Sequence, residues 1–88
     1  QGMNTFNLTV ASPDGNKFKG EVIKLDVRGV EGELAVMAGH IPFVTSVAAA
    51  PCTIHISENE KLEATCDGGL LSVDTDSVTL ISGSFEIK

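Results

Sequence analysis

The chain has 88 residues, which fits one domain and leaves no room for two. Its net charge is −6 at pH 7, and its six Lys and Arg residues are scattered, so no basic patch for a nucleic-acid backbone is visible. No apolar run is long enough to span a bilayer, and Trp and Tyr, the side chains on which carbohydrate-binding modules usually stack their ligands, are absent.

The beginning of the chain indicates where the domain starts. Gln1 and Gly2 precede Met3 and are expected to be a cloning remnant, so the predicted domain covers residues 3–88. No secretory signal follows Met3, because the next residues are polar and uncharged. With two cysteines and no export signal, the natural interpretation is a reducing cytoplasm with free thiols.

Apolar residues recur with a period of two rather than 3.6, which predicts short antiparallel strands with one buried face. Residues 44–50 also fit a strand better than a helix, because they are rich in β-branched side chains and lie between two prolines. In chain order, the alternating runs are Phe6, Leu8 and Val10; Ile23, Leu25 and Val27; Ile54 and Ile56; Leu62 and Ala64; Leu71 and Val73; Val78 and Leu80; and Phe85 and Ile87.

Turn residues separate these runs at a spacing of roughly 8–12 residues, which is typical of a sandwich or barrel. The predicted turns are residues 12–16, 58–60, 67–69 and 74–76. No window of ten or more residues shows a helical apolar stripe. The pattern therefore predicts an all-β fold, a flattened antiparallel β-sandwich or barrel.

The two cysteines are placed by the hairpin that contains them. If residues 58–60 form a three-residue loop, Ile54 faces Ala64 and Cys52 faces Cys66. Both cysteines then share the core face of their strands. Two interpretations remain open at this point: buried, inert thiols that pack as small hydrophobes, or a cross-strand disulfide.

Histidines and cysteines do not form a recognisable metal or nucleophile motif. Cys52, Cys66, His40 and His55 have neither C-x-x-C nor H-x-x-x-H spacing, and His55 is predicted to point outward, away from the thiols. A cysteine nucleophile needs exposure and an activating base, and both cysteines are predicted to be buried. We therefore expect no metal and no catalytic cysteine.

Acidic and glycine-rich stretches give no stronger indication of chemistry. Glu31 and Glu33 lie on one loop and are expected to be solvated rather than a paired-carboxylate site. The glycine-rich residues 29–32 and 67–69 lack the strand-to-helix context of a phosphate-binding loop. Neither a catalytic site nor a cofactor is predicted.

Several short segments have a specific combination of glycine, proline and apolar residues. Taken alone, residues 34–43 would simply be a strand followed by a structural turn. In chain order, the segments are L-x-V-x-S-P at 8–13, F-x-G at 18–20 with Val22, E-G-E-L at 31–34, G-H-I-P at 39–42 with Thr45, and G-G-L-L-S-V at 68–73. In their order and spacing, from Phe6 to about Leu80, these segments resemble the epsilon subunit of F-type ATP synthases, which is called delta in mitochondria.

The resemblance implies a β-sandwich of about ten short strands at the foot of the central stalk, without catalytic activity or a cofactor. Such a subunit joins the gamma subunit to the ring of c subunits and couples ion translocation to ATP synthesis. It would lie on the cytoplasmic face of the bacterial inner membrane as a peripheral part of the ATP synthase. Its contact with the membrane would go through the complex, and it would bind no nucleic acid.

The resemblance also implies two docking surfaces. An exposed carboxylate such as Glu33 would pair with a basic side chain of the ring for only about 0.2–1 kcal/mol, so it would set orientation more than affinity. The residues expected to face the c ring are Val30, Glu31, Gly32, Glu33 and Leu34. The residues expected to face gamma are Ser12, His40, Pro42 and Thr45.

The sequence departs from the family at two points. Members usually continue into two C-terminal helices that can inhibit ATP hydrolysis and in some cases bind ATP, whereas we expect no C-terminal helical hairpin here. Ala38 also stands where many relatives have Pro.

The alternative function is a free-standing β-sandwich module that binds a small molecule or carbohydrate. An enzyme ranks third, because no arrangement of acid, base and nucleophile is visible.

Overall fold

The computed structural model describes residues 5–39, 41–75 and 77–88. Over these residues all regular structure is β, as predicted, and the eight strands lie in one continuous hydrogen-bonded system. The strands are β1 (Phe6–Ser12), β2 (Gly15–Val22), β3 (Lys24–Gly29), β4 (Gly32–Met37), β5 (Phe43–His55), β6 (Lys61–Val73), β7 (Ser77–Ser82) and β8 (Phe85–Ile87).

The order of strands in the sheet is β2-β1-β7-β6-β5-β3-β4, and β8 pairs with β6. Neighbours that follow each other in sequence pair antiparallel, as short connections require. β1 and β7 pair parallel, which is possible because most of the chain lies between them. The sheet is therefore mixed rather than purely antiparallel.

Two long strands divide this sheet into two layers. β5 and β6 have 13 residues each, and they pair along almost their whole length. The second half of β5 and the first half of β6 lie with β3, β4 and β8, which we call the β3 layer. The other halves lie with β1, β2 and β7, which we call the β1 layer. Counting each half separately turns eight strands into the ten short segments that the resemblance implied.

β6 continues through residues 67–69, so the predicted turn there is wrong. Gly68 and Gly69 have φ angles of 87° and 152°, which bend the strand without ending it. A Cβ atom on Gly69 would lie 1.9 Å from the carbonyl oxygen of Ile81, so only glycine fits against β7. The buried hydroxyl of Ser82, 2.7 Å from Gly68 O, fixes the bend from the neighbouring strand.

The hairpin between β5 and β6 differs from the predicted register by two residues. Its loop covers residues 56–60 and is closed by a hydrogen bond from Ile56 N–H to Glu60 O at 2.9 Å. Cys52 consequently faces Ala64, not Cys66, which faces Ala50. A shift of two leaves the alternation intact, so both cysteines still point into the core as predicted.

The core lies between the two layers and is built from aliphatic side chains with two of the four phenylalanines, Phe6 and Phe85. Ile23, predicted to belong to a strand, instead occupies the corner between β2 and β3 and is half-buried. The largest fully buried side chains are Phe85, Leu8, Leu25, Ile54, Leu71 and Leu80. They come from both layers, so each layer depends on the other for its buried face.

We predict that Gly69→Ala lowers the free energy of unfolding by more than about 2 kcal/mol, because the added methyl group overlaps the β7 backbone. Urea unfolding followed by circular dichroism measures the effect. Gly83→Ala is the matched control, since the nearest atom to its Cβ is Asp67 Oδ2 at 4.0 Å. A change at Gly69 no larger than the change at Gly83 would contradict the role assigned to the bend.

Candidate docking surfaces

The segment predicted to face the c ring forms the tip of the β3–β4 hairpin. Gly29 and Gly32 pair at its base, and the two-residue turn between them consists of Val30 and Glu31. Gly32 has a φ of 139°, a conformation open to glycine. The side chain of Val30 is 66% exposed. The hairpin therefore presents an apolar residue and a carboxylate at the end of the domain.

The other two members of that set belong to β4 rather than to the turn. Glu33 is exposed and pairs in register with Arg28 of β3. Leu34 is partly buried and packs against the core. Leu34 therefore anchors the hairpin, and the other four members of the set, residues 30–33, are exposed on its surface.

The residues predicted to face gamma lie near β5 and at the end of β1. Ser12 ends β1, and its hydroxyl donates to Gly15 O at 3.2 Å. Pro42 is exposed just before β5, and Thr45 is half-buried within β5. His40 lies outside the described residues.

Thr45 adjoins the hairpin tip. A shallow concavity of about 300 Å³ is lined by residues 29–34 together with Thr45. The fold thus places part of the predicted gamma-facing set next to the predicted c-ring-facing set, at one end of the domain.

A row of paired residues crosses the outer face of the β1 layer. The strand registers align Ala11 with Ile81, Ile81 with Leu70, and Leu70 with Ser46. Thr45 immediately precedes Ser46, and Ser12 immediately follows Ala11. The row ends at Ala11 and Ser46, which are chain neighbours of two predicted gamma-facing residues, whereas Thr45 itself pairs with buried Leu71 and so lies on the core face of β5.

Two members of this row, together with Val44, form an apolar surface that the sequence interpretation did not identify. We call Val44, Leu70 and Ile81 the outer apolar stripe; Val44 is 62% exposed and Ile81 51% exposed. Val44 is two residues from Ser46 and so lies on the same face of β5. The available signal was the pairs Leu70-Leu71 and Leu80-Ile81, in which two successive apolar residues break the alternation and leave one apolar residue on each face.

The outer face of the β3 layer is charged instead. His55 points outward, as predicted, and its Nε2 lies 2.8 Å from Asp26 Oδ2. Lys24 Nζ is 3.7 Å from Asp26 Oδ1. These side chains are partly exposed, so the Lys24–Asp26 ion pair is worth at most about 1 kcal/mol. The two outer faces of the sandwich therefore differ in character, one apolar and one ionic.

The cysteines are free, which confirms the first of the two interpretations. Burial, and secondarily the nearby Cys66, raises the pKa of the Cys52 thiol from 9.0 to about 12. Cys66 Sγ donates to Ser82 Oγ at 3.5 Å beside the bend in β6. A thiol that stays protonated at physiological pH is a poor nucleophile, so Cys52 has a packing role.

Within residues 5–39, 41–75 and 77–88, no three His, Cys, Asp or Glu side chains converge in a way that would hold a metal ion. The same part of the chain contains no helix of the length and apolarity needed to cross a membrane.

We predict that Cys52 resists thiol reagents in the folded chain at pH 8, because its raised pKa keeps it protonated and its side chain is buried. Reaction with a chromogenic disulfide reagent should be slow until denaturant is added, and two thiols per chain should then titrate. A denatured chain whose mass is two hydrogens below the reduced value would contradict this result.

Comparison with known proteins gives a consistent picture. The model of the family described as "ATP synthase, Delta/Epsilon chain, beta-sandwich domain" matches residues 5–88. The ATP synthase epsilon chain of Wolbachia pipientis subsp. Culex pipiens is 32% identical over 85 residues, covering 97% of this chain and 75% of the relative. The epsilon chain of Afipia carboxidovorans is 40% identical over 81 residues, which cover 91% of this chain and 58% of the relative. The sodium-ion-specific epsilon chain of Acetobacterium woodii is 30% identical over 82 residues, covering 93% and 62%.

Solved structures show the same fold. A chain in the mitochondrial ATP synthase of Euglena gracilis, solved as OSCP/F1/c-ring, superposes with a TM-score of 0.88 at 22% identity, covering 99% of this chain and 56% of that one. A chain in the central stalk/c-ring structure of the mitochondrial ATP synthase of Tetrahymena thermophila superposes with a TM-score of 0.78 at 11% identity. The match covers 97% of this chain and 68% of that one. The chain thus spans about three fifths to three quarters of the length of these relatives.

Proposed function

The chain belongs to the ATP synthase delta/epsilon β-sandwich family, and from this membership we propose that it is a central-stalk subunit that docks the gamma subunit to the c ring. In this role it catalyses no reaction. It transmits rotation between ring and shaft, and so couples ion translocation to ATP synthesis. Its place is on the cytoplasmic face of a bacterial inner membrane, as a peripheral part of the complex.

The outer apolar stripe is the observation that carries the gamma contact. Exposed apolar side chains that cluster on one face of a small domain mark interaction surfaces, whereas single ones are ordinary. The row that contains Leu70 and Ile81 ends at Ala11 and Ser46, the chain neighbours of Ser12 and Thr45, two positions that the family resemblance assigns to gamma. The opposite face, around Asp26 and His55, is ionic and suits solvent. We therefore assign the β1 layer to the shaft.

The hairpin tip supports the contact with the c ring. It is narrow, it projects Val30, and it carries Glu31 and Glu33 with their carboxylates exposed. Exposed carboxylates attract basic side chains at long range but add little affinity, so the tip would guide the ring into register. Because Thr45 adjoins the tip, ring and shaft would meet the domain at neighbouring places.

We predict that Ile81→Glu weakens binding to the cognate gamma subunit at least about tenfold, because a carboxylate in the centre of an apolar interface must be desolvated without a partner. Isothermal titration calorimetry with purified gamma measures the dissociation constant. The control is Met37→Glu, which changes a side chain of similar exposure, 54%, on the edge strand β4. Equal weakening by both variants, or no binding of the unmodified chain at micromolar concentration, would contradict the assignment.

A second prediction concerns the hairpin tip. Replacing Glu31 and Glu33 together by Gln should weaken association with a complex that contains the c ring by about two- to tenfold at low salt, and much less at high salt, because the lost interactions are exposed ion pairs. Co-sedimentation with the membrane sector over a salt series tests this. Binding to isolated gamma should stay unchanged, and a loss of gamma binding instead would assign the tip to the shaft.

A further inference from the structure

The first part of β5 has a partner strand on one side only. β3 pairs with β5 as far as Gly29 opposite Val47, and the chain then turns away at Val30. Residues 43–46 pair with β6 on their other side, and no described strand covers their outer edge. The concavity lined by residues 29–34 and Thr45 lies where β3 leaves this edge.

The orientation of the backbone shows which groups point into the open edge. A Cβ atom on Gly68 of β6 would lie 3.0 Å from Val47 O, so that carbonyl faces β6. A Cβ atom on Gly29 of β3 would lie 3.8 Å from Ser46 O, so that carbonyl faces the opposite way. Backbone groups alternate in direction along a strand, so the N–H and C=O of Val44 and the N–H of Ser46 point outward.

The edge at residues 43–46 differs from the other edges of the sheet. The remaining outer strands each carry at least one charge, which discourages pairing with another chain. Residues 43–46 carry none, and residues 41–44 form a run of four exposed apolar residues in which Ile41 is 81% exposed. The protecting charges elsewhere are Lys17, Lys19 and Glu21 on β2, Glu33 on β4 and Glu86 on the three-residue β8.

We propose that an extended segment of the gamma subunit adds to residues 43–46 as a further strand of the sheet, through main-chain hydrogen bonds to Val44 and Ser46. This inference rests on the function proposed above and specifies how gamma binds. The incoming strand takes the position that β3 vacates at Gly29, and its outward side chains continue the outer apolar stripe beside Val44.

Charge selects this occupant over a second copy of the chain. Each copy carries a net charge of −6, so pairing edge to edge would bring two acidic domains together. The carboxylates of Glu31 and Glu33 stand at the end of the edge, next to Thr45, and would repel an acidic partner there. The fitting partner is therefore a segment of a different protein that carries no acidic residue.

Amide hydrogen exchange of the ¹⁵N-labelled chain, alone and with purified gamma, tests this mode of binding. In the free chain the amides of Val44 and Ser46 should exchange much faster than those of Phe43 and Thr45, which face β6. With gamma bound, Val44 and Ser46 should slow at least about tenfold. Complex formation without this slowing would overturn strand addition while leaving the proposed function intact; absence of a complex would overturn both.

A pair of variants at Val44 separates the contribution of the backbone N–H to gamma binding from the contribution of the side chain. Val44→Pro removes an outward N–H, which an edge strand tolerates, whereas Val44→Thr keeps the N–H and changes only the side chain. Val44→Pro should bind gamma at least about tenfold more weakly than Val44→Thr. Equal affinities would overturn the proposal, as would gamma-independent dimerisation of the unmodified chain through this edge. If Val44→Pro does not fold, the exchange measurement on the unmodified chain decides the question.

Discussion

The close approach of Gly69 to the carbonyl of Ile81 is the constraint on which the rest of the structure depends. It lets β6 bend while staying hydrogen-bonded to β5 and β7, so one strand serves both layers. Two separate sheets would leave more strand edges unpaired, and a domain of this size buries only a modest core to offset that cost. Sharing β5 and β6 between layers gives it ten sheet segments from eight strands.

The same bend separates the two outer faces to which we assign different roles. On one side of it the outer face of the β1 layer carries Leu70 and Ile81, and on the other side the β3 layer carries the ionic group around Asp26 and His55. β3 follows β5 only to Gly29 and then leaves it for the hairpin tip. The outer apolar stripe, the open edge of β5 and the hairpin tip therefore all lie where β5 and β6 pass from one layer to the other.

Alternation of apolar and polar residues predicted the all-β fold and the buried positions, because side-chain direction depends only on a period of two. It did not predict whether glycines at 68 and 69 end a strand or bend it, since both need the same backbone freedom. It also missed the register of Cys52 by two residues, because loop length is not encoded in alternation. The outer apolar stripe was missed because alternation identifies the core face, and Ile81 lies on the opposite face.

The most direct measurement is an electron cryo-microscopy structure of the assembled ATP synthase that contains this chain. We predict that the domain lies at the foot of the central stalk, with Leu70 and Ile81 buried against gamma, Val30 against the c ring, and Asp26 and His55 facing solvent. A domain bound to gamma through the face that bears Asp26 and His55, with Leu70 and Ile81 exposed, would contradict the proposed orientation.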